Sequence, residues 1–354
     1  MIKAYAALAP GAELRPFEYN PGELGHDQVE IAVEYCGICH SDLSMLDNEW
    51  GMTAYPFVPG HEVAGHITAV GSQVSRFQVG DRVGLGWHSA YCNSCGCCMT
   101  GDHNLCNDAE GTIVGRHGGF ADRVRAQASS VVALPDDLPM DVAGPLFCGG
   151  VTVFNPILQY NLSPTARVAV IGIGGLGHMA LQFLRAWGCH VTAFTSSPDK
   201  REELLALGAH ATLDSRSKDA LKQAASSFDL ILSTVNVGLD WNRYISCLKP
   251  HGRLHFVGAV MEPVQISVFG LMAAQRSISS SPVGSPSTIA TMLDFAVRHD
   301  IRPQIELFDM KDVNKALAHL RHGSPRYRIV LKNPVAAVQD NAAQADAPEA
   351  VDVE

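Results

Sequence analysis

The chain has 354 residues, of which 47% are hydrophobic and 18% charged, with ten cysteines and a formal net charge of −10. That length accommodates about two domains with separate cores, and an acidic balance without a Lys/Arg stripe excludes a nucleic-acid surface. Met1 to Leu8 lacks the apolar run and cleavage site of a signal peptide, so the cysteines read as thiols in a reducing compartment and the expectation is a soluble cytoplasmic protein.

The first third reads as β-rich. Short β-branched or alternating runs, Val29 to Tyr35 and Ile67 to Val70, are punctuated by Gly22, Gly25, Gly71 and Gly80. Between them stand Cys36-Gly-Ile-Cys39-His40-Ser41-Asp42 and Gly60-His61-Glu62. A thiolate and an imidazole with one coordination position left open suit a catalytic Zn²⁺. Cys39 and His61 are two expected ligands, and Cys148, in Pro145-Leu-Phe-Cys148-Gly-Gly, is the isolated candidate for the third. Cys36-x-x-Cys39 by itself is also the pattern of a redox pair. Asp42 has two readings: a carboxylate that fixes the tautomer of His61, or a cap for a helix that begins near Ser41.

Four thiols follow at Cys92-x2-Cys95-x2-Cys98-x7-Cys106. This spacing predicts a closed tetrahedral zinc that holds a lobe together and leaves no position for water. Cys97 competes with Cys98 in principle, and the regular spacing favours Cys98. The uncharged run from Val142 to Ala166 is broken by three prolines and two asparagines, which makes it a poor membrane helix.

Past Cys148 the pattern changes. Ala166 to Ile171 is an apolar run that flows into Gly172-Ile-Gly174-Gly175-Leu176-Gly177 and an amphipathic stretch. Strand, glycine turn and helix in that order form a dinucleotide fingerprint, with the pyrophosphate at the helix N-terminus. Further strands are expected at His190 to Phe194, Ala211 to Leu213, Asp229 to Ser233 and Arg253 to Val257. Helical stretches such as Arg201 to Leu207 and Leu239 to Leu248 alternate with them, which predicts a doubly wound parallel sheet. An NAD site wants a carboxylate about 20 residues beyond the glycines. Here stand Thr195-Ser196-Ser197, with Lys200 and Arg201 beyond, and hydroxyls with cations suit the 2′-phosphate of NADP(H). A single serine there could also be an ordinary helix cap.

Together these motifs, with Cys148-Gly-Gly-Val-Thr, Asp47-Asn-Glu-Trp50-Gly and Pro56-x-Val-Pro-Gly60-His-Glu, resemble the zinc-dependent medium-chain alcohol dehydrogenases over residues 1 to about 332. The resemblance is to the cinnamyl-alcohol-dehydrogenase branch and its bacterial NADPH-dependent aldehyde reductases. It implies an α/β protein: a GroES-like β-rich catalytic domain in two pieces, 1–151 and 284–335, flanking a Rossmann doubly wound parallel sheet at 152–283. It also implies two Zn²⁺ per chain, NADP(H), a homodimer or homotetramer, and reversible reduction of a zinc-polarised aldehyde by hydride from the nicotinamide.

Within that frame Glu62 lies behind the zinc as a transient ligand, and Ser41 passes the proton. Thr152, Gly172, Gly174, Gly175, Leu176, Gly177, Thr234, Val257, Ser279, Ser281 and Arg328 are expected to contact the cofactor, and Trp50 and Trp87 to line the substrate pocket or else to be core aromatics. His40 either faces the cofactor phosphates or is merely packed. Many relatives carry a relay histidine five residues after the zinc cysteine. Here that position is Ser44, and the expectation is a relay that ends in solvent beside it. An NAD-preferring alcohol dehydrogenase is one alternative; catalytically silent dinucleotide-binding proteins and zinc-independent quinone reductases on the same fold are others, but they would be expected to lack zinc ligands that this chain keeps. The last stretch, 336–354, has no Lys or Arg and reads as a disordered acidic tail.

Overall fold

The longest strand, β3 (Gln28–Ile38), is the spine of the N-terminal half. Its Val29, Ile31, Val33, Cys36 and Ile38 are buried, and it is preceded by a hairpin of β1 (Ile2–Ala6) and β2 (Arg15–Tyr19). Helix α1 (His40–Leu46) follows it directly. Then come β4 (Val63–Val70), β5 (Arg82–Leu85), β6 (His88–Ala90), the one-turn helix α2 (Gly96–Met99), β7 (Glu110–Gly111), β8 (Arg123–Gln127) and β9 (Val131–Ala133). The computed structural model describes residues 1–323 and 325–334; the tail expectation at 336–354 lies outside the described residues.

Next is a helical stretch in three parts: α3 (Met140–Pro145), one π turn at Leu146–Gly150, and α4 (Val151–Gln159). Pro145 has no N–H to give a helical ladder, and a wide turn is where such a ladder accommodates the defect. This is the one helical stretch among the described residues long and apolar enough to cross a membrane, and 83% of its apolar window is buried within the protein.

Then β and α alternate: β10 (Arg167–Ile171), α5 (Gly177–Trp187), β11 (His190–Thr195), α6 (Arg201–Ala206), β12 (Ala211–Asp214), α7 (Lys218–Gln223), β13 (Phe228–Ser233), α8 (Trp241–Ser246), β14 (Leu248–Phe256), α9 (Val268–Met272) and β15 (Ser277–Ser280). These strands form one parallel sheet in the order β12-β11-β10-β13-β14-β15. The order reverses between β10 and β13, and the crevice beyond their carboxyl ends is where such sheets take ligands. The expected helix Leu239 to Leu248 is shorter, because Leu248 pairs with Phe228 and already belongs to β14.

After α10 (Pro286–Arg298) the chain adds β16 (Ile305–Asp309), α11 (Val313–His322) and β17 (Arg328–Lys332). These last strands join the first sheet, whose order is β16-β17-β3-β4-β5-β9 with β8 also on β3. Ile329 pairs with Ile38. One apolar cluster runs through both halves, from Ala64 and Phe147 by way of Phe154 and Phe183 to Met292, so α4, α5 and α10 fasten the two sheets together.

Candidate active site and metal centres

Cys39 sits where β3 ends and α1 begins; His61 and Glu62 immediately precede β4; Cys148 is on the π turn. One donor atom from each lies within 4.8 Å of the others, and all four residues are buried. His61 Nε2 is 3.3 Å from Cys148 Sγ, which is 3.9 Å from Cys39 Sγ. Asp42, fully buried, does both jobs proposed for it. Its Oδ2 accepts from the Cys39 N–H at 2.9 Å, capping α1, while Oδ1 accepts from the Gly60 N–H at 2.9 Å and from His61 Nδ1 at 3.0 Å. Nε2 faces the thiols, and against burial the charges and hydrogen bonds of Asp42 and Cys39 hold the imidazole well above its usual range; a metal at Nε2 would take the place of that proton, with Nδ1 still held by the carboxylate.

The donor set fits a zinc ion chemically. Cys39 is held well below the usual thiol range, first by its hydrogen bond with Cys148 and against burial, with His61 and Arg328 assisting. Cys148 is correspondingly pushed up by the bond with Cys39 and by burial. A divalent metal bound here would displace the protons these groups retain. Glu62 is raised to about 7 by burial, with Arg328 pulling the other way. Arg328 Nη2 is ion-paired to Glu62 Oε1, whereas Oε2 is buried without a partner. An orphaned carboxylate oxygen beside two thiols and an imidazole is a place for a cation. Gly37 admits that carboxylate, since a Cβ there would come within 2.0 Å of Glu62 Oε2.

The second cluster unites Cys92, Cys95, Cys98 and Cys106 within 4.8 Å, with Cys97 outside it. Cys92 Sγ lies 3.5 Å from Cys106 Sγ and 3.9 Å from Cys98 Sγ. The lobe's own core is Tyr91 with two of the thiols, so apolar burial alone is too little to hold it, and four convergent thiols fit a closed zinc site.

At the carboxyl end of β10, Gly172 adopts φ +86°, and a Cβ on Gly177 would strike Gly172 O at 2.1 Å. A Cβ on Gly174 would meet nothing within 4 Å, so the turn leaves an open face at the α5 N-terminus where a pyrophosphate fits. Gly175 and Leu176 complete the turn before α5. Thr234 donates to Gly172 O at 2.5 Å and so ties β13 to the turn. At the end of β11, Thr195 Oγ1 accepts from the Ser197 N–H at 3.0 Å; Ser196 lies between them, Lys200 ends the short turn Pro198–Lys200, and Arg201 begins α6. Thr152 is buried on α4, and the Val257 N–H donates to Ser233 O at 2.9 Å.

The remaining expected residues have these surroundings. The hydroxyls of Ser279 and Ser281, expected on the cofactor, are hydrogen-bonded to buried His255 at 2.9 and 3.0 Å. The Arg328 guanidinium is turned inward onto Glu62, with Nη1 beneath Gly175 rather than free at the surface. Ser41 Oγ is 3.7 Å from Cys39 Sγ. Ser44 does not face solvent alone: its Oγ donates to Glu49 Oε2 at 2.6 Å. Trp87 meets His61 edge-on at 5.1 Å between ring centroids, and Trp50 lies 6.0 Å from Trp87. His40 is exposed at the first position of α1. Sequence reasoning missed Glu49, Gly37 and the buried His178; only Asp47-Asn-Glu-Trp50, read as a family motif, pointed near one of them.

A model of the alcohol dehydrogenase GroES-like domain matches residues 25–136, and one of the zinc-binding dehydrogenases matches 175–298. The chain is 61% identical over 333 residues to aldehyde reductase AdhA of Synechocystis sp., covering 94% of this chain and 99% of that protein. It is 39% identical to 8-hydroxygeraniol dehydrogenase of Catharanthus roseus, over 93% and 95% of the two chains. Among solved structures, a cinnamyl alcohol dehydrogenase from Sorghum bicolor superposes with TM-score 0.89 at 38% identity, over 94% and 97% of the chains. One from Helicobacter pylori complexed with NADP(H) gives 0.86 at 29% identity, over 94% and 97%. The chain therefore belongs to the zinc-dependent medium-chain alcohol dehydrogenases, on the branch of cinnamyl alcohol dehydrogenases and aldehyde reductases, whose business is aldehyde–alcohol oxidoreduction with zinc and a nicotinamide cofactor.

Proposed function

We propose that this enzyme is an NADP(H)-dependent aldehyde reductase, working reversibly on primary alcohols, with one catalytic and one structural zinc per chain. The observation that carries the cofactor choice is the end of β11, where Thr195-Ser196-Ser197 offers hydroxyls and amides and no carboxylate, with Lys200 and Arg201 close in sequence. A relative from Mycolicibacterium smegmatis named as NADP-dependent supports it, as does the Helicobacter structure with NADP(H). When bound, zinc would polarise the substrate carbonyl and NADPH would supply the hydride.

The chain's own residues supply the rest. Cys39, His61 and Cys148 hold the metal, Asp42 fixes the imidazole tautomer, and Arg328 keeps Glu62 drawn back as a fourth, reserve ligand. Trp87 and Trp50 line the substrate side beside His61 and exclude water. Ser41 holds the proton for the product oxygen, and Ser44, three residues on along the same face of α1, passes protons to Glu49 at the surface. On this reading residues 1–151 and 284–335 form the catalytic domain and 152–283 the dinucleotide domain. The enzyme is soluble and cytoplasmic, without nucleic-acid or membrane partners. A homodimer is supported by the free edge of β15, flanked on α9 by Val268, Phe269 and Met272, which are 66%, 78% and 70% exposed; pairing of such dimers would give a tetramer.

The test is a panel of aldehydes and alcohols assayed with NADPH and with NADH. NADPH is expected to dominate, and Thr195→Asp to weaken it by about 1.5–3 kcal/mol, the scale of hydrogen bonds to charged groups. An unchanged NADPH/NADH ratio in that variant places the 2′-phosphate elsewhere, and a wild-type preference for NADH refutes the cofactor reading.

A further inference from the structure

His178 is the first residue after the last glycine of the turn, on α5, and it is fully buried. Both ring nitrogens are engaged, and they reach different parts of the chain. Nδ1 lies 3.3 Å from Gly174 O in the glycine turn, and Nε2 lies 3.2 Å from the backbone N of Gln304, which leads into β16 of the other sheet. An amide N–H can only donate, so Nε2 is the acceptor and Nδ1 carries the hydrogen directed at Gly174 O. Burial, assisted by the charge of Arg328, holds the imidazole down to about 3, so the ring stays uncharged.

The ring is also stacked on Tyr327, with centroids 4.7 Å apart and planes at 9°. Tyr327 in turn donates from its hydroxyl to Glu203 Oε1 on α6 at 2.6 Å. Gln304 O accepts the backbone N–H groups of both Tyr327 and Arg328 at 3.0 Å. A Cβ on Gly175 would come within 2.9 Å of Arg328 Nη1 and 3.4 Å of Tyr327 O. The glycine turn thus rests on the Gln304–Arg328 surface, and that surface ends in the guanidinium that holds Glu62 behind the zinc ligands.

We propose that His178 is a positioning residue, a single-tautomer pin that seats the dinucleotide turn on the segment carrying Gln304, Tyr327 and Arg328 and so fixes where the cofactor's pyrophosphate lies relative to the metal ligands. This rests on the turn being the dinucleotide site of the function proposed above. The ring is fully buried, with both nitrogens held by backbone groups of the protein. It acts through Gly174 and Gly175, so its loss weakens NADPH and NADH by the same factor and leaves their ratio alone, unlike a change at Thr195.

The experiment compares His178→Phe, which keeps a stacking ring and loses both nitrogens, with His178→Gln, whose amide oxygen reaches about as far as Nε2. Dissociation constants for NADPH and for NADH are measured on metal-loaded protein, with hydrogen exchange at the Gln304 amide as a second readout that needs no cofactor. In the phenylalanine variant, with metal content unchanged, both constants are expected to rise about tenfold and Gln304 to exchange about tenfold faster, the scale of one part-buried hydrogen bond lost; glutamine restores most of both. A folded phenylalanine variant with wild-type affinities and protection overturns the proposal, as does a glutamine variant no better than phenylalanine. Where phenylalanine prevents folding, Tyr327→Leu removes the stacked face and has to give the same parallel loss; unchanged affinities there overturn it. Wild-type protein that binds neither dinucleotide sinks the cofactor reading instead, while exchange at Gln304 still judges the pin.

Discussion

Asp42→Asn isolates the contribution of one carboxylate to the catalytic metal site. The native side chain accepts three hydrogen bonds inside the protein, from the N–H groups of Cys39 and Gly60 and from His61 Nδ1, at 2.9, 2.9 and 3.0 Å. Asparagine with its oxygen in the Oδ1 position keeps the last two as neutral bonds, each weaker by roughly 1 kcal/mol, and sets an NH₂ against the Cys39 N–H, losing a bond of about 1.5–3 kcal/mol. The sum, about 3.5–5 kcal/mol, does not exceed the roughly 5–15 kcal/mol of a typical domain, so the variant is expected to fold. In the proposed function the imidazole that it loosens is a metal ligand, and loss of such an outer partner lowers affinity by about 10- to 100-fold. Metal per chain is to be followed against rising chelator, alongside denaturant unfolding. One ion is expected to leave the variant at about 10- to 100-fold less chelator than from wild type, while the ion in the four-cysteine lobe leaves unchanged. Superimposable release curves, or both ions shifting together, would refute the reasoning.

Other consequences follow from single contacts. If each chain holds the two zinc ions proposed, Cys98→Ser should leave one and destabilise the lobe, whereas Cys97→Ser, outside the cluster, should retain both; equal loss in the two variants would show the ligand set to be wrong. Gly37→Ala should abolish turnover, because its Cβ would occupy the place of Glu62 Oε2, and an active alanine enzyme would show that Glu62 need not lie there. Alcohol oxidation by wild type should show no step near the ordinary histidine pKa of about 6.5, since a serine hydroxyl does not titrate there. Ser44→His should introduce that step. A wild-type step that vanishes in His40→Ala would assign the relay to exposed His40 instead.

Much of the site could be read from the chain because its chemistry is local or recurs at fixed spacing. Thiol spacing picked Cys98 over Cys97, and strand, glycine turn and helix placed the dinucleotide crevice. Asp42 gave two readings because it has two oxygens, and the fold uses one for each. What escaped depends on contacts between distant segments. Arg328 faces Glu62 across 266 residues of sequence, and no local pattern distinguishes an arginine turned inward from one aimed at a phosphate. His178 meets Gln304 only once the two sheets are packed together. Ser279 and Ser281 look like free hydroxyls until β14 sets His255 between them. Ser44 and Glu49 are near in sequence, but their contact depends on how α1 ends at Asp47.

The pairing of Ile329 with Ile38 has a consequence for how the protein is made. On a ribosome adding roughly 5–20 residues per second, β3 emerges some 15–60 seconds before its partner β17. The parallel sheet between them is local in sequence and can close in the meantime, whereas the first sheet waits with an open edge beside Cys39, and Glu62 has no guanidinium to face until Arg328 arrives. Nascent chains should therefore show an early protease-resistant core from the middle of the sequence, while the N-terminal thiols stay reactive until synthesis has nearly ended. A stop codon just before Arg328 would leave a folded nucleotide-binding core attached to an N-terminal half that cannot complete its sheet, a natural substrate for chaperones and proteases.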